Sequence, residues 1–301
     1  MRIAVTGGTG FLGKYVIDYI QSRGNTPIII TRKEISKNNT VKQYRQTDYS
    51  LESLIDILSD IDIVIHLAAK RGSQDRIADF YDNIILTQNL YEACSINNIK
   101  NIVYASTISV YSEEKLLPWR ETHLPKPKLM YGVSKIACEY IGDIYSIRKG
   151  LHIKNLRFAH IYGFNEKNNY MINLFFRQAF HKQCLSIYGK SIAKREFLYA
   201  KDAAKAIICA LEMEDISGTF NIGSGQAFTN YEVAIHINDV FNNKGNLIII
   251  DPDADEGIQS SYMDNSKAKK ILGFYPDYTF QDAIKEIYSQ MEGLEDVPLF
   301  Y

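Results

Sequence analysis

Tyr131 and Lys135 stand four residues apart, a spacing that favours acid–base chemistry. On a helix this spacing places both side chains on one face, where an ammonium group can lower the pKa of a phenol. Tyr131 opens a long helical pattern, and upstream of it Ser106 and Thr107 end a short strand pattern. Because ligands bind at the C-terminal ends of strands in open α/β sheets, this context favours Tyr131 and Lys135 as a reactive pair.

The tyrosine–lysine spacing alone is weak evidence, because it occurs three times in the chain. The pair that begins at Tyr111 runs into a proline-containing loop, and the pair that begins at Tyr145 lies at the end of a helical pattern. We therefore expect the pair at Tyr131 to carry the chemistry.

Residues 6–13, TGGTGFLG, form a glycine-rich loop between the first strand pattern and the first helical pattern. Gly7, Gly10 and Gly13 would let the chain turn tightly, approach a pyrophosphate and pack the helix on the strand. The free N–H groups and the positive end of the helix dipole would then face the phosphates. A glycine-rich turn without a ligand is the alternative, but the strand before and the helix after indicate a dinucleotide site.

The end of the second strand pattern bears on the choice between NAD and NADP. An acidic residue there usually binds the ribose 2′-hydroxyl of NAD, whereas this chain has Thr31, Arg32 and Lys33. A guanidinium would attract the 2′-phosphate of NADP, although Arg32 is equally well explained as a solvated side chain. Glu34 is close enough to leave NAD open, so the predicted cofactor is NAD or NADP.

Short apolar runs alternate with helical patterns, which is typical of strands buried on both faces of a parallel sheet. These strand patterns are residues 3–5, 28–30, 61–65, 102–104 and 153–156; after about residue 162 the pattern loosens, and residues 218–222 are strand-like. The helical patterns are residues 11–23, 51–58, 84–96, 131–148, 171–181, 203–214 and 231–241. This order predicts an α/β fold with a Rossmann-type, doubly wound parallel sheet.

Composition and charge exclude several classes of protein. Hydrophobic residues are 46% and charged residues 23% of the 301 residues, as in folded globular proteins. Lys plus Arg is 34 and Asp plus Glu is 35, which argues against a nucleic-acid or membrane-surface binder. The four cysteines and six histidines form no metal-binding motif, so we expect no metal. No signal sequence or membrane-length apolar run is recognised, and we expect a cytoplasmic protein.

Taken in order, the motifs of the chain resemble those of the extended short-chain dehydrogenase/reductases, in their NAD-dependent epimerase/dehydratase branch. They are the glycine loop, Asp48-Tyr49, His66-Leu67-Ala68-Ala69, Asn83, STISVY at 106–111, YGVSK at 131–135, Leu156-Arg157, IYG at 161–163, REF at 195–197, Asp202, FNIG at 220–223, Asp264 and Lys267-Ala268. The resemblance covers nearly the whole chain and is strongest to UDP-glucose and UDP-N-acetylglucosamine 4-epimerases.

The resemblance implies roles for the reactive residues. Tyr131 would be the catalytic acid/base, Lys135 would bind the nicotinamide ribose and tune Tyr131, and Thr107 would orient the reacting hydroxyl. This set fits oxidation of a secondary alcohol, in which a phenolate removes the hydroxyl proton while hydride passes to the nicotinamide. The tightly held NAD(P) would also contact Gly7, Gly10, Phe11, Leu12, Gly13, Thr31, Arg32, Asp48, Tyr49, Leu67, Ala68, Ala69, Arg71, Asn83, Ser106 and Phe158.

The residues after Thr107 bear on the reaction. Related dehydratases have an Asp-Glu pair there, whereas this chain has Ile108 and Ser109, which disfavours a 4,6-dehydratase. A 4-epimerase needs only Tyr131, Thr107 and the cofactor. It oxidises C4, the keto-sugar then rotates in the site, and hydride returns to the other face of C4. Two alternatives remain: an NADPH-dependent reductase of a keto-sugar or other carbonyl, and a non-catalytic cofactor sensor.

The resemblance also implies a nucleotide-sugar site in the C-terminal part of the chain. Its residues would be Asn169 and Arg195 at the diphosphate and Ser186 and Tyr188 on a strand beside uracil. The alternative for Arg195 is an ion pair with a nearby carboxylate, Glu196 or Asp202.

Ser261 stands three positions before Asp264, where the family has a residue beside the hexose. A large tyrosine there restricts the pocket and a small residue admits an N-acetyl group, so Ser261 favours UDP-N-acetylglucosamine and UDP-N-acetylgalactosamine. Two positions depart from the family pattern. The second phosphate-binding arginine falls on Ala254, and His160 replaces an asparagine. His160 would either donate a hydrogen bond to the substrate or be a buried structural histidine.

These patterns divide the chain into two lobes. We predict a dinucleotide-binding core of residues 1–165, to which residues 192–224 return, and a smaller interleaved C-terminal substrate lobe of residues 166–191 and 225–301. The resemblance implies a homodimer formed by the helices near 84–96 and 131–148. Cys138 is expected to pack within its helix, and Phe175, Phe176 and Phe180 in a core or an interface.

Overall fold

The computed structural model describes residues 1–33 and 43–301, so Glu34 lies outside the described residues. The strands are β1 (Arg2–Thr6), β2 (Thr26–Thr31), β3 (Gln43–Gln46), β4 (Ile63–His66), β5 (Asn101–Thr107), β6 (His152–Phe158), β7 (His160–Tyr162), β8 (Leu185–Tyr188), β9 (Arg195–Tyr199), β10 (Gly218–Ile222), β11 (Ala227–Phe228) and β12 (Leu247–Ile250). The helices are α1 (Phe11–Ser22), α2 (Leu51–Ile57), α3 (Tyr81–Ile96), α4 (Met130–Lys149), α5 (Met171–Phe180), α6 (Ala200–Leu211), α7 (Asn230–Val240) and α8 (Phe280–Glu292).

Within the described ranges, seven strands form one sheet in the order β10-β6-β5-β4-β1-β2-β3. Every pairing in this sheet is parallel. The strand order reverses between β1 and β4, which is where a doubly wound sheet opens a ligand crevice at its C-terminal edge. The predicted Rossmann-type fold is confirmed.

Most strands of the central sheet are buried along most of their length because both faces are covered. Val5 packs in a core with α1 and α6, whereas the preceding Ala4 packs in a core with α2, α3 and α4. Successive side chains of a strand point to opposite faces, so neighbouring residues enter different cores. Cys138 lies in the second of these cores, as predicted.

A third core lies in the C-terminal part of the chain, where α5, α7 and α8 pack on β8 and β9. Phe175 and Phe176 are buried in it and Phe180 packs against it, which confirms their predicted packing. Two small sheets flank this core, with the strand orders β11-β9-β7 and β12-β8. β7 begins two residues after the end of β6, and Phe158 at that end pairs with Thr107 of β5, so His160 lies near the same edge of the central sheet.

Candidate active site

Thr107 and Tyr131 come together where β5 ends and α4 begins. Thr107 is the last residue of β5, and its Oγ1 accepts a hydrogen bond from the N–H of Ser109 at 3.1 Å. Tyr131 is the second residue of α4, and its ring lies 6.1 Å from that of Phe80. Thr107 also lies close enough to Tyr131 to act on its phenol, and it slightly offsets the rise in pKa that burial causes. A reacting hydroxyl bound here would contact both residues.

The pKa of Tyr131 is set by opposing effects. Burial is the largest and raises the pKa to about 12, whereas the positive charge of Arg71 is the strongest lowering effect. The sequence predicted this tuning role for Lys135. Arg71 instead lies close enough to act on the phenol, and it is held there by Glu166 at 3.4 Å. Glu166 was not predicted, because its place beside the active site depends on the path of the loop after β7.

Lys135 is buried, with 2% of its surface exposed, one turn along α4 from Tyr131. Its Nζ lies 4.3 Å from the ring centre of Tyr104. Burial lowers the pKa of Lys135 to about 8, and the nearby Glu139 acts in the opposite direction. The ammonium form therefore predominates at neutral pH and provides a buried positive charge next to the C-terminal edge of the sheet.

Glu139 anchors the turn of α4 that follows Lys135, and it was also missed from the sequence. Its carboxylate accepts two hydrogen bonds from the Nε of Arg157, at 3.0 and 3.1 Å, and one from Nη2 at 2.6 Å. Ser106 donates its hydroxyl to the same carboxylate. Arg157 continues the network by donating to the hydroxyl of Tyr111 at 2.6 Å. The Ser106 side chain, predicted to contact the cofactor, is thus committed to a buried network that fixes the residue before Thr107.

The glycine loop fits a dinucleotide pyrophosphate. Gly7 has a φ of +71°, and a Cβ on it would approach the N–H of Ala68 to 2.8 Å. Gly10 is the N-cap of α1 but offers no side chain to the helix, and the first turn has no acidic residue. The first N–H groups of α1, at Phe11, Leu12 and Gly13, are thus left for an anion.

The residues predicted around the rest of the cofactor lie along the same edge of the sheet. Leu67, Ala68 and Ala69 directly follow β4, Thr31 ends β2, and Phe158 ends β6 with a buried side chain. Asn83 exchanges hydrogen bonds with the backbone of Lys70, at 2.7 and 3.0 Å. Its amide therefore holds the loop after β4, which carries Arg71.

Arg32, Asp48 and Tyr49 mark the predicted adenine end. The guanidinium of Arg32 is 68% exposed, lies 5.9 Å from the Tyr49 ring centre and 3.8 Å from the carboxylate of Asp82. The Tyr49 hydroxyl donates to the carbonyl of Ile30 at 3.2 Å, and Asp48 accepts from the N–H of Ser50 at 2.8 Å. Arg32 is thus solvated but not without a partner.

Arg195 does not form the ion pair that was the alternative for it. Its Nη2 donates to Oδ1 of Asn230 at 2.6 Å, and within the described ranges its buried Nε has no partner. Glu196 instead accepts from the N–H groups of Gly225 and Met263. Asp202 accepts from the N–H groups of the chain before α8. Arg195 therefore keeps hydrogen-bonding capacity for an anionic ligand.

The other predicted substrate residues lie on several different elements, and of these Ser261 pairs with Arg195. Ser186 and Tyr188 are on the exposed face of β8, and His160 and Ser261 are in hydrogen-bond contact at 3.1 Å. Asn169 donates to the carbonyl of Tyr301 at 2.8 Å and accepts from its N–H at 3.2 Å. The carboxamide of Asn169 is thus held by the backbone near the end of the chain.

The described ranges contain no group of three or more His, Cys, Asp or Glu residues arranged for a metal ion. In the same ranges, no helix has the length and apolar character needed to cross a membrane. A cavity of about 610 Å³ lies between α1, α6 and the chain before α8. Its charged residues include Lys205 and Asp277, which pair with each other, and it shares no residue with the predicted site.

Comparisons with known proteins identify the family of this chain. The profile of the NAD dependent epimerase/dehydratase family matches residues 3–223. The crystal structure of UDP-N-acetylglucosamine 4-epimerase from Bacillus cereus is 63% identical, covers 100% of both chains and has a TM-score of 0.93. UDP-N-acetylglucosamine 4-epimerase from Methanobrevibacter ruminantium M1, in complex with UDP-N-acetylmuramic acid, is 27% identical over 97% of this chain and 98% of that chain, with a TM-score of 0.86. An uncharacterised UDP-glucose epimerase of Bacillus subtilis is 28% identical over 98% of this chain and 99% of its own length.

Proposed function

This chain belongs to the NAD dependent epimerase/dehydratase family, and we propose that it is a nucleotide-sugar 4-epimerase that acts on UDP-hexoses, including UDP-N-acetylglucosamine. The observation that carries the proposal is the arrangement of Thr107 at the end of β5, Tyr131 at the start of α4 and the buried Lys135 one turn further along α4. The 63% identity to a UDP-N-acetylglucosamine 4-epimerase over the whole chain supports the substrate.

Each side chain of the site has its own role in the proton transfer at C4. Tyr131 takes the proton of the C4 hydroxyl and later returns it, while Thr107 orients that hydroxyl and Arg71 stabilises the phenolate. Lys135 binds the nicotinamide ribose. Bound NAD supplies the uptake and return of hydride at C4. Because hydride returns to the same carbon, the overall reaction consumes no cofactor.

The two predicted lobes divide the binding. Residues 1–165 with 192–224 hold the dinucleotide, with its pyrophosphate at the N-terminus of α1. Residues 166–191 and 225–301 contribute Asn169 to the diphosphate, Ser186 and Tyr188 to uracil, and Ser261 to the hexose. Arg195 binds the diphosphate, and this role is supported by its half-buried guanidinium, whose Nε has no partner among the residues that the structure describes.

The function is tested with purified protein and no added cofactor. UDP-N-acetylglucosamine and UDP-glucose are incubated separately, and proton NMR follows the H1 and H4 signals of the sugar. We expect the 4-epimer of each to appear, because a tightly held cofactor is regenerated in every cycle. If no epimer forms even after NAD and then NADP are added, and NADPH is consumed with a keto-sugar, the protein is a reductase and the proposal is wrong.

We further propose that the cofactor is NAD rather than NADP. Asp82, 3.8 Å from Arg32, competes with a 2′-phosphate for the guanidinium. We expect protein purified without added cofactor to release mainly NAD on denaturation, as measured by chromatography. Asp82→Asn should raise the NADP share a few-fold, and adding Arg32→Ala should reverse that gain. A wild-type protein that releases mainly NADP would contradict the assignment.

We also propose a homodimer that forms through α3 and α4. These helices pack against each other and present exposed apolar side chains, namely Tyr81 and Ile85 on α3 and Tyr140, Ile144 and Ile147 on α4. Neighbouring apolar side chains at helical spacing are typical of an interface.

Ile144→Asp is expected to convert the dimer to a monomer, because dimer formation would bury the new carboxylate without a partner. Light scattering coupled to size-exclusion chromatography measures the mass. Ile248→Asp, which changes an equally exposed isoleucine on β12, is the matched control and should leave the dimer intact. A wild-type monomer, or an equal effect of both variants, would argue against this interface.

A further inference from the structure

His160, which replaces the asparagine of the family pattern, contacts Ser261, the residue predicted to lie beside the hexose. Nε2 of His160 lies 3.1 Å from the hydroxyl oxygen of Ser261. The residues are 101 positions apart in the sequence, so this contact was not evident before the fold was known. Both side chains are half-buried, so a ligand in the cleft can still reach them.

The backbone around the pair is fixed by strand pairing. His160 of β7 pairs with Phe197 of β9, and Ser261 pairs with Arg195 of the same strand. Ser261 donates its N–H to the carbonyl of Lys194 at 2.8 Å and accepts from the N–H of Glu196 at 2.9 Å. Cross-strand partners point to the same face, and so do residues two apart in a strand. His160, Ser261 and Arg195 therefore face the same side, next to the proposed diphosphate group.

The electrostatic environment keeps His160 neutral. Burial is the main cause and the positive charge of Arg195 adds to it, which lowers the pKa of His160 to about 4. A neutral imidazole nitrogen either donates to a serine hydroxyl or accepts from it. In the first case the Ser261 O–H is free to donate, and in the second its oxygen is free to accept. Either way the hydroxyl keeps one hydrogen bond for a ligand, in a fixed direction.

We propose that His160 is a positioning residue that holds the Ser261 hydroxyl toward the C2 substituent of the hexose, so that the pair selects N-acetylated UDP-sugars by hydrogen bonding. The inference rests on the proposed epimerase function. It adds selection by hydrogen bonding to the space that the small residue 261 leaves for an N-acetyl group. An acetamido group offers an N–H donor and a carbonyl acceptor, and either one matches the remaining capacity of the hydroxyl. The hydroxyl at C2 of UDP-glucose does not extend as far.

Two substitutions of His160 separate positioning from simple packing. The carboxamide nitrogen of asparagine stands near the place of Nδ1 of histidine, whereas that of glutamine reaches the place of Nε2. His160→Asn therefore loses the contact with Ser261, and His160→Gln keeps it. Ser261→Ala removes the hydroxyl but leaves the site small, which tests whether size alone decides. His236→Asn on α7 is the control for a histidine replaced elsewhere.

The measured quantity is kcat/KM for UDP-N-acetylglucosamine relative to UDP-glucose, with retained cofactor and circular dichroism as checks of folding. We expect His160→Asn and Ser261→Ala each to lower the ratio about tenfold, the size of one lost hydrogen bond. His160→Gln and His236→Asn should stay within about threefold of wild type. Combining His160→Asn with Ser261→Ala should lower the ratio no further, because both remove the same contact.

Three outcomes would overturn the inference. One is a ratio that Ser261→Ala leaves unchanged, which would show that size alone decides. Another is an equal loss for both sugars in His160→Asn and His160→Gln, which would show a packing role. If His160→Asn does not fold, the kcat/KM ratios of Ser261→Ala and His160→Gln for the two sugars still test the inference. The third outcome concerns the wild-type protein. A wild-type protein that epimerises neither sugar overturns the proposed function, and the inference with it.

Discussion

Tyr131→Phe is expected to lower kcat for epimerisation at least about 10³-fold, within the range that a positioned acid/base contributes, while the dinucleotide stays bound. The substitution removes one oxygen atom, the only atom of the side chain that can exchange a proton with the substrate. Phenylalanine keeps the ring that packs against Phe80. Folding and cofactor retention should therefore change little, and the loss should be confined to the chemical step.

Tyr145→Phe is the matched control for this prediction. Tyr145 lies on the same helix, and its hydroxyl donates to Glu92 at 2.8 Å. It also has a lysine four residues later, so it has the same local pattern as Tyr131 without its place at the sheet edge. Turnover is measured by NMR and bound cofactor by chromatography. Nearly unchanged turnover in Tyr131→Phe, or equal losses in the two variants, would contradict the assignment of Tyr131.

The central sheet was predictable because most of its strands are buried on both faces. Such strands contain short apolar runs, by which β1, β2, β4, β5 and β6 were found, and β10 was recognised as strand-like. The strand β3 reads QYRQ and was missed, since it pairs only with β2 at the edge and its residues are half-buried or exposed. The helix α8 was also missed, although Phe280, Ala283, Ile284 and Ile287 have helical spacing.

The parts of the candidate site that lie at the ends of successive strands and helices could be predicted from the sequence. The parts that depend on how distant loops pack together could not. Thr107 and Tyr131 meet because a strand end and the start of the next helix share one edge of the sheet. The approach of Arg71 to Tyr131 depends on the loop that carries Glu166, and no local pattern encodes it. The Glu196 alternative for Arg195 could have been excluded from the sequence, because the two residues are adjacent in a strand and their side chains point to opposite faces.

Glu139→Gln is expected to lower the free energy of unfolding by about 3–5 kcal/mol, the usual cost of removing one partner of a buried ion pair. Glu139 and Arg157 are 1% and 4% exposed, so water does not replace the lost carboxylate. Arg157 would keep its charge, because its guanidinium does not lose a proton in proteins. Ser106 would at the same time face a neutral amide in place of an anionic acceptor.

Chemical denaturation of the purified protein measures this change. Glu113→Gln is the control, since Glu113 also pairs with a cation, Lys126 at 2.7 Å, but on the surface. Exposed ion pairs contribute little, so this variant should unfold at the same denaturant concentration as wild type. Equal midpoints for wild type, Glu139→Gln and Glu113→Gln would show that the buried pair is not needed for stability.

The same substitution has a second effect, which links stability to catalysis through one carboxylate. The negative charge of Glu139 raises the pKa of Lys135, which burial has lowered to about 8. Without that charge the pKa of Lys135 falls further, and a smaller fraction of it carries a proton at neutral pH. The pH at which activity declines because Lys135 loses its proton should therefore move to a lower value in Glu139→Gln. A profile of kcat/KM against pH measures the shift, and a profile that keeps its wild-type position would leave Glu139 with a structural role only.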